Sequence, residues 1–406
     1  MSVKIKYYDD DPNKGIIYDW DFIRKQYKKL HCPEGVWNPL KADWSRCGYS
    51  MAISDRSQGK TTNPLLIGMI MHEHYGTITH YIRQTSTICE PMMIKNIFDT
   101  ILSFNYIAKI TGDRWNNLYY RGKRWYYCNT DDQGVIIEKC PQHFMICFGL
   151  DESQQIKSSY NCPVGDLIIF DEFITDYYGY YDYVHWVDIC KTIIRDRYSP
   201  CIYMLSNNID LNSPWFDEME LRDAVDGMTQ GQSIYASTTQ GTVYHIEILP
   251  QNITEQREKV NKRFFGFSNP KIAAVTGRGS WATDHYQHIP KDQDDDQDTR
   301  VLFRRLYMMQ SGKYLRLNLM YQREIGYCVY VHPATRIYED SIILTHGDIP
   351  DRRHVYGFGP ADSKLLQLYW RLYKGNRWYY HHNASGAMVK SYVSMVQTKN
   401  KDRGFA

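Results

Sequence analysis

The sequence predicts an α/β fold, a parallel sheet flanked by helices, followed by a smaller α+β module. Strand-like and helix-like segments alternate from about residue 49 to 250, the pattern of parallel βαβ units. Three apolar strands in that stretch run into polar residues, at the edge where open parallel sheets gather ligands. From about residue 300 the pattern changes to long hairpin-like strands, as in "KYLRLNLMYQREIGYCVYVHP".

The 406 residues exceed one ordinary core. The expected division is 1–250 for the α/β domain, 251–296 for a linker or lid, and 297–406 for the second module. Hydrophobic residues at 43% and charged residues at 23% are an ordinary globular composition, and 35 tyrosines supply both core and interface area. The 48 basic and 46 acidic residues leave a formal charge of +2. A protein that coats nucleic acid carries a large basic excess, so any such contact here is local. No apolar run approaches the roughly 18 residues of a membrane span, and "MSVKIKYYDDD" does not read as a secretory signal. A cytosolic chain without membrane contact is expected, its ten scattered cysteines reduced. Cys140 and His143 lack a second pair at zinc spacing, and His72, Glu73 and His74 read as surface.

In chain order, "YSMAIS" reads as a strand and "PLLIGMIMHEHYG" as a helix ended by Gly76. "ITHYIRQT" is a second strand, followed by a helical stretch near 91–103. "YIAKIT" and "NLYYRGKRWYYC" read as a β-hairpin or β-rich insertion. Strands "HFMICFGL", "GDLIIFDEF" and "CIYMLSNN" follow, with a helix at about 182–196 between the last two, and "VYHIEIL" reads as a further strand. A helix is expected over "ITEQREKVNKR". Residues 277–298 read as loop, ending in the acidic run Asp292, Asp294, Asp295, Asp296 and Asp298, which self-repulsion keeps solvated.

Residues 54–61, "SDRSQGKT", lie between an apolar strand and an apolar helix. They match a phosphate-binding loop except that Ser54 replaces the opening glycine. In such a loop the backbone of Ser54, Asp55, Arg56, Ser57, Gln58 and Gly59, with the helix start at Thr61 and Thr62, faces nucleotide phosphates. Lys60 reaches the terminal phosphates, and the Thr61 hydroxyl joins Mg²⁺. The strand "DLIIFDEF" delivers Asp171, suited to the Mg²⁺ shell, and Glu172, suited to activating the attacking water. "CIYMLSNN" ends in Ser206, Asn207 and Asn208, which can sense a γ-phosphate. Together these predict an ATP- and Mg²⁺-dependent P-loop NTPase of the additional-strand, catalytic-glutamate type. Arg56, inside the loop, is a candidate to stabilise transition-state charge in cis.

The order "SDRSQGKT", "YIRQT", "LIIFDEF", "YMLSNN" resembles the DNA encapsidation proteins of small tailed phages, packaging ATPases related to the large terminase subunits. The resemblance covers about residues 45–250, and beyond that it rests on domain order. It implies a homo-oligomeric ring, a pentamer, at the portal of a prohead, in contact directly or through a structural RNA. That ring would push double-stranded DNA inward by ATP hydrolysis. The chain would act in the host cytoplasm and on the prohead and be absent from the mature virion. The resemblance places Lys60 and Thr61 on phosphate and Mg²⁺, Asp171 on Mg²⁺, Glu172 as base, and Ser206 to Asn208 in the coupling motif. It places a finger supplied in trans at Arg195 or Arg197. A helicase shares the ATP core but needs a second core or further motifs, and none is visible after residue 250. A nucleotide-gated assembly protein without turnover has no use for Glu172.

Arg121, Lys123 and Arg124, at a glycine turn flanked by aromatics, are the candidate DNA contacts, reading phosphate charge rather than sequence. In terminases the C-terminal module is an RNase H-like nuclease, which needs clustered carboxylates for two metals. Here the strand "YLRLNLM" carries none, and Glu324 falls in the turn. An RNase H-like module lacking nuclease residues is expected. It would be kept for docking through Arg304, Arg305, Lys313, Arg316 and Arg323.

Overall fold

The computed structural model describes residues 5–54, 58–160, 162, 164–175, 181–207, 213–226, 228–250, 255–264, 286–287, 299–310, 313–323, 325–345, 351–358 and 363–402. Asp55, Arg56, Ser57, Asn208, Glu324, the acidic run at 292–298 and residues 277–285 of the expected loop lie outside them. The chain divides into two compact units. One comprises residues 1–173, 182–208 and 227–260; the other comprises 174–181, 209–226 and 261–406. The division therefore differs from the continuous one expected, because two short stretches of the first 250 residues belong to the second unit.

The first unit is built on β1 (Tyr49–Ser54), β2 (Thr79–Arg83), β3 (Asn117–Arg121), β4 (Arg124–Thr130), β5 (Ile136–Gly149), β6 (Leu167–Asp171), β7 (Cys201–Asn207), β8 (Ser233–Ser237) and β9 (Val243–Ile248). They form one sheet in the order β3-β4-β5-β2-β6-β7-β1-β9-β8. Pairing is parallel from β5 to β9 through β2, β6, β7 and β1, with β3, β4 and β8 antiparallel at the edges. Leu167, Ile168, Ile169 and Phe170 of β6 are wholly buried. That is why this strand reads as a continuous apolar run rather than an alternating one.

The helix Thr62–Tyr75 is apolar nearly all round and buried along most of its length. It ends on Gly76, left-handed at φ 72°, whose N–H donates to His72 O. The His72–His74 triplet is half-buried rather than surface, and the His72 Nδ1 lies 3.0 Å from Thr77 O.

Several elements differ from the sequence expectation. "YIAKIT" is a helix, Tyr106–Thr111, capped by left-handed Gly112. A six-residue apolar segment is ambiguous between the two periods, and packing of Tyr106, Ile107 and Thr111 into the core decides it. The stretch 91–103 is helical as expected, although in three short helices, Pro91–Ile94, Lys95–Phe98 and Asp99–Ser103. The strand expected from His143 begins at Ile136, its first half largely exposed. The helix Trp20–Lys28, capped by Asp19 and burying Ile23 and Tyr27 four residues apart, was not anticipated. β8 was not anticipated either.

The second unit carries β10 (Thr299–Phe303), β11 (Leu306–Gln310), β12 (Lys313–Gln322), β13 (Gly326–Pro333), β14 (Ile342–Leu344), β15 (His354–Val355) and β16 (Trp378–Tyr380). Their order is β15-β14-β11-β12-β13-β16, with β10 also pairing β12. Leu315, Leu317, Leu319, Val329 and Val331 form one face of the β12–β13 hairpin. That face packs against Leu366 and Tyr369 of the helix Lys364–Lys374 and Tyr392 and Val396 of the helix Asn383–Asp402. Period two sends Arg316 and Asn318 to the other face. Around Tyr338, the guanidinium carbons of Arg305, Arg316 and Arg336 lie 3.8, 5.5 and 5.6 Å from the ring centroid.

Candidate active site

The parallel register of the first unit brings four strand ends to one sheet edge. Ser54 of β1 lies beside Asn207 of β7, Asp171 of β6 beside Leu205, and Ile82 of β2 beside Phe170. Beyond β1 the chain turns through Gly59, left-handed at φ 73°. A Cβ there would fall 2.9 Å from Asn63 Nδ2 and 3.2 Å from Val36 Cβ, so the position favours glycine on both counts. The loop's flanks are pinned from outside. Trp37 N donates to Gln58 O at 2.9 Å, Gln58 Nε2 to Pro250 O at 2.8 Å, and Asn63 Nδ2 to Trp37 O.

Lys60 is 7% exposed, and its ammonium donates to Ser54 Oγ at 2.5 Å, Ser54 O at 3.1 Å and Asn207 Oδ1 at 3.4 Å. The Thr61 hydroxyl donates to Asp171 Oδ2 at 2.9 Å. Glu172 directly follows β6 and is left-handed at φ 57°. That conformation costs a non-glycine residue on the order of 1–3 kcal/mol, and the surrounding bonds must hold it. Asn207 Nδ2 donates to Glu172 Oε1 at 3.2 Å, and Arg83 NH2 donates to Glu172 Oε2. Arg83 NH1 also donates to Asp171 Oδ2 at 3.2 Å, so one guanidinium pairs with both carboxylates.

Burial alone would lower the Arg83 pKa, but Tyr81, Asp171 and Glu172 outweigh it and hold the guanidinium more firmly protonated than usual. Arg83 was not singled out as a site residue from the sequence. The signal was present in "YIRQT", where a buried strand ends on a cation. Its partners depend on β2 lying beside β6, which spacing alone does not reveal.

The two trans-finger candidates separate sharply. Arg197 is buried, and NH1 donates to Cys162 O at 2.8 Å. NH2 donates to Gly165 O at 3.0 Å and Ile193 O at 2.7 Å, and Nε lies 3.2 Å from Asp166 Oδ1. The Arg197 guanidinium is thus committed to carbonyls and a carboxylate of its own chain. Arg195 is exposed, and among the described residues its guanidinium group makes only long contacts of 3.4 Å to Thr192 O and Tyr160 O. Ser206 is buried, its hydroxyl donating to Asn207 O at 2.9 Å. Thr62 opens the helix after the loop.

The turn between β3 and β4 lies at the same sheet edge as Asp171, because Arg124 pairs with Ile146 near the end of β5 and Cys147 N donates to Lys123 O. Arg121 is exposed there, and Arg124 NH1 makes only a 3.4 Å contact to Gly122 O. Lys123 is paired with Glu152, so two of the three expected cations remain without an acidic partner in the described residues. All ten cysteines are free thiols, and no His/Cys/Asp/Glu cluster able to hold a metal occurs among the described residues. No described helix is long and apolar enough to cross a membrane.

No family model matches the chain, and no curated protein matches it. Solved structures do. The Phi-28 gp11 DNA packaging motor is 16% identical, with 90% of this chain and 99% of that one aligned at a TM-score of 0.57. The bacteriophage Phi-29 viral genome packaging motor assembly is 16% identical, with 89% and 100% aligned at a TM-score of 0.56. At such identity the likeness is one of fold, and it runs through nearly the whole of both chains. The chain has the fold of the phage DNA-packaging motor proteins.

Proposed function

We propose that this chain is an ATP-driven motor that moves double-stranded viral DNA into a preformed prohead, working as a homo-oligomeric ring at the portal. The observation that carries the proposal is the meeting of Lys60, Thr61, Asp171, Glu172 and Arg83 at one sheet edge of a packaging-motor fold. This donor set fits a nucleoside triphosphate with Mg²⁺. An ammonium stands where a phosphate loop presents one, and a threonine hydroxyl already bonds to a carboxylate on the next-but-one strand. Thr61 and Asp171 would hold Mg²⁺, which neutralises phosphate charge when bound with ATP.

In this reading Lys60 exchanges its bonds to Ser54 and Asn207 for phosphate oxygens. Glu172 orients and accepts a proton from the attacking water, its direction set by Arg83 and Asn207. Asn207 bonds to both Lys60 and Glu172, so it senses the phosphate end and the water end together. The backbone of residues 54–59 cradles the phosphates, with Arg56 adding charge in cis. Arg195 is supplied to the neighbouring subunit's nucleotide. Arg121 and Arg124 track DNA phosphates, aided by Lys123 where it leaves Glu152.

The second unit is proposed as an RNase H-like module without nuclease activity. It would dock on the prohead or a structural RNA through arginines such as Arg305 and Arg316. A ring of five, action in the host cytoplasm and absence from the virion belong to the same proposal.

The test is ATP turnover with and without DNA and purified proheads. DNA-stimulated turnover that rises further with proheads is expected. Lys60→Ala should lose nucleotide binding and turnover, while Glu172→Gln should bind ATP but fail to hydrolyse it. Near-normal turnover by Glu172→Gln removes Glu172 from the mechanism, and turnover indifferent to DNA overturns the motor reading.

A further inference from the structure

We infer that Tyr81 is a positioning residue whose buried hydroxyl fixes the Asp171 carboxylate for the Mg²⁺ that accompanies ATP, an inference resting on the ATPase reading above. Tyr81 is 1% exposed, its ring in the core of the first unit. Phenylalanine would fill that volume, so a tyrosine hydroxyl needs a partner to offset its burial. The partner is Asp171 Oδ2 at 2.6 Å, within the short range of a hydroxyl bonded to a charged carboxylate.

The register explains the reach. Tyr81 pairs with Ile169, so its side chain runs along the neighbouring strand to the residue two positions on. Oδ2 of Asp171 accepts three hydrogen bonds, from Thr61 Oγ1, Tyr81 OH and Arg83 NH1. None falls on Oδ1 among the described residues. One oxygen is thus anchored and the other is left to face the metal shell.

The three donors are not equivalent. The Thr61 hydroxyl also has to serve the metal, and the Arg83 guanidinium is shared with Glu172. The Tyr81 hydroxyl, held on the central strand β2, donates to Asp171 without being shared with Glu172, and it is itself steadied by Arg83 NH1 at 3.2 Å. Groups that orient a metal-binding side chain without touching the ion set its affinity, and their loss costs about 10–100-fold. Here the expected loss is at the lower end, because two donors remain.

The experiment uses the full chain and Tyr81→Phe, which removes one oxygen atom. Thermal melting and binding of a fluorescent ATP analogue in EDTA should match the parent. The Mg²⁺ concentration for half-maximal tightening of that binding, and for half-maximal turnover, should rise by about 10-fold, with turnover recovered at saturating Mg²⁺. In an Asp171→Asn background the same change should shift the Mg²⁺ dependence of binding no further. An unchanged Mg²⁺ requirement overturns the inference, as does an equal further shift in the Asp171→Asn background. A large drop in melting temperature also overturns it, since the hydroxyl then serves the core. A parent chain without Mg²⁺-dependent turnover would instead defeat the ATPase reading, a failure seen before any variant is made.

Discussion

Arg195 and Arg197 stand two residues apart just past the helix Asp182–Ile194, and the surroundings of their guanidinium groups are opposite, which under the proposed function predicts opposite roles. Arg197 braces the entry to β6 and β7 through Asp166, which also accepts from Tyr18 OH at 2.7 Å and Ser199 Oγ at 2.6 Å. Removing one member of such a buried pair leaves a charge without compensation and costs about 3–5 kcal/mol. Arg197→Ala should therefore lower stability in urea by that order, with any loss of activity following loss of fold. Arg195→Ala should leave the urea transition in place and reduce turnover on the order of 10³-fold. Equal unfolding midpoints for the two variants would contradict the assignment. At Lys60, Thr61, Asp171 and Glu172 the residue types alone point to the proposed chemistry, because a cation, a hydroxyl and paired carboxylates at strand ends have few other uses.

The helix Thr62–Tyr75 and the strand β2 meet closely at Gly68. A Cβ on Gly68 would fall 2.2 Å from Thr79 Oγ1 and 3.0 Å from Leu167 Cδ2. On helix propensity alone, alanine is favoured over glycine by about 1 kcal/mol. Overpacking against a strand costs about 1–3 kcal/mol, and here the contact is far inside van der Waals distance. Gly68→Ala should therefore destabilise the protein, a sign opposite to the propensity rule and readable as a lower melting temperature. A rise in melting temperature would show that helix and strand have room to separate. The change should also weaken Mg²⁺-dependent turnover, because Tyr81 and Arg83 follow Thr79 on the same strand.

For the assembled ring, the exposed Arg195 and the carboxylate Glu172 would serve one shared site from two subunits. A mixture of Arg195→Ala and Glu172→Gln chains should regain part of the turnover that each lacks alone, since some interfaces then combine an intact arginine with an intact glutamate. No recovery in mixed rings of confirmed composition would place the finger elsewhere. Given the near-balanced charge of the whole chain, 48 basic against 46 acidic residues, the proposed grip on DNA would have to rest on local groups such as Arg121 and Arg124. Double substitution of these two by alanine should reduce DNA stimulation and flatten its salt dependence, leaving basal turnover intact.

The sequence by itself determined the strands β1, β6 and β7, because each is a short apolar run ending in polar residues, and a strand buried on both faces can hardly read otherwise. It also located the loop after β1 and the Asp171–Glu172 pair, since these chemistries are contiguous in the chain. It did not determine "YIAKIT", whose six residues suit either period until Gly112 and the core select a helix. Tertiary structure alone decided that β2 lies between β5 and β6, and so that Tyr81 and Arg83 serve Asp171 and Glu172 some 90 positions away. It alone separated Arg195 from Arg197. Strand neighbours and burial are properties of the folded packing, and two arginines two residues apart carry no local mark of which faces water.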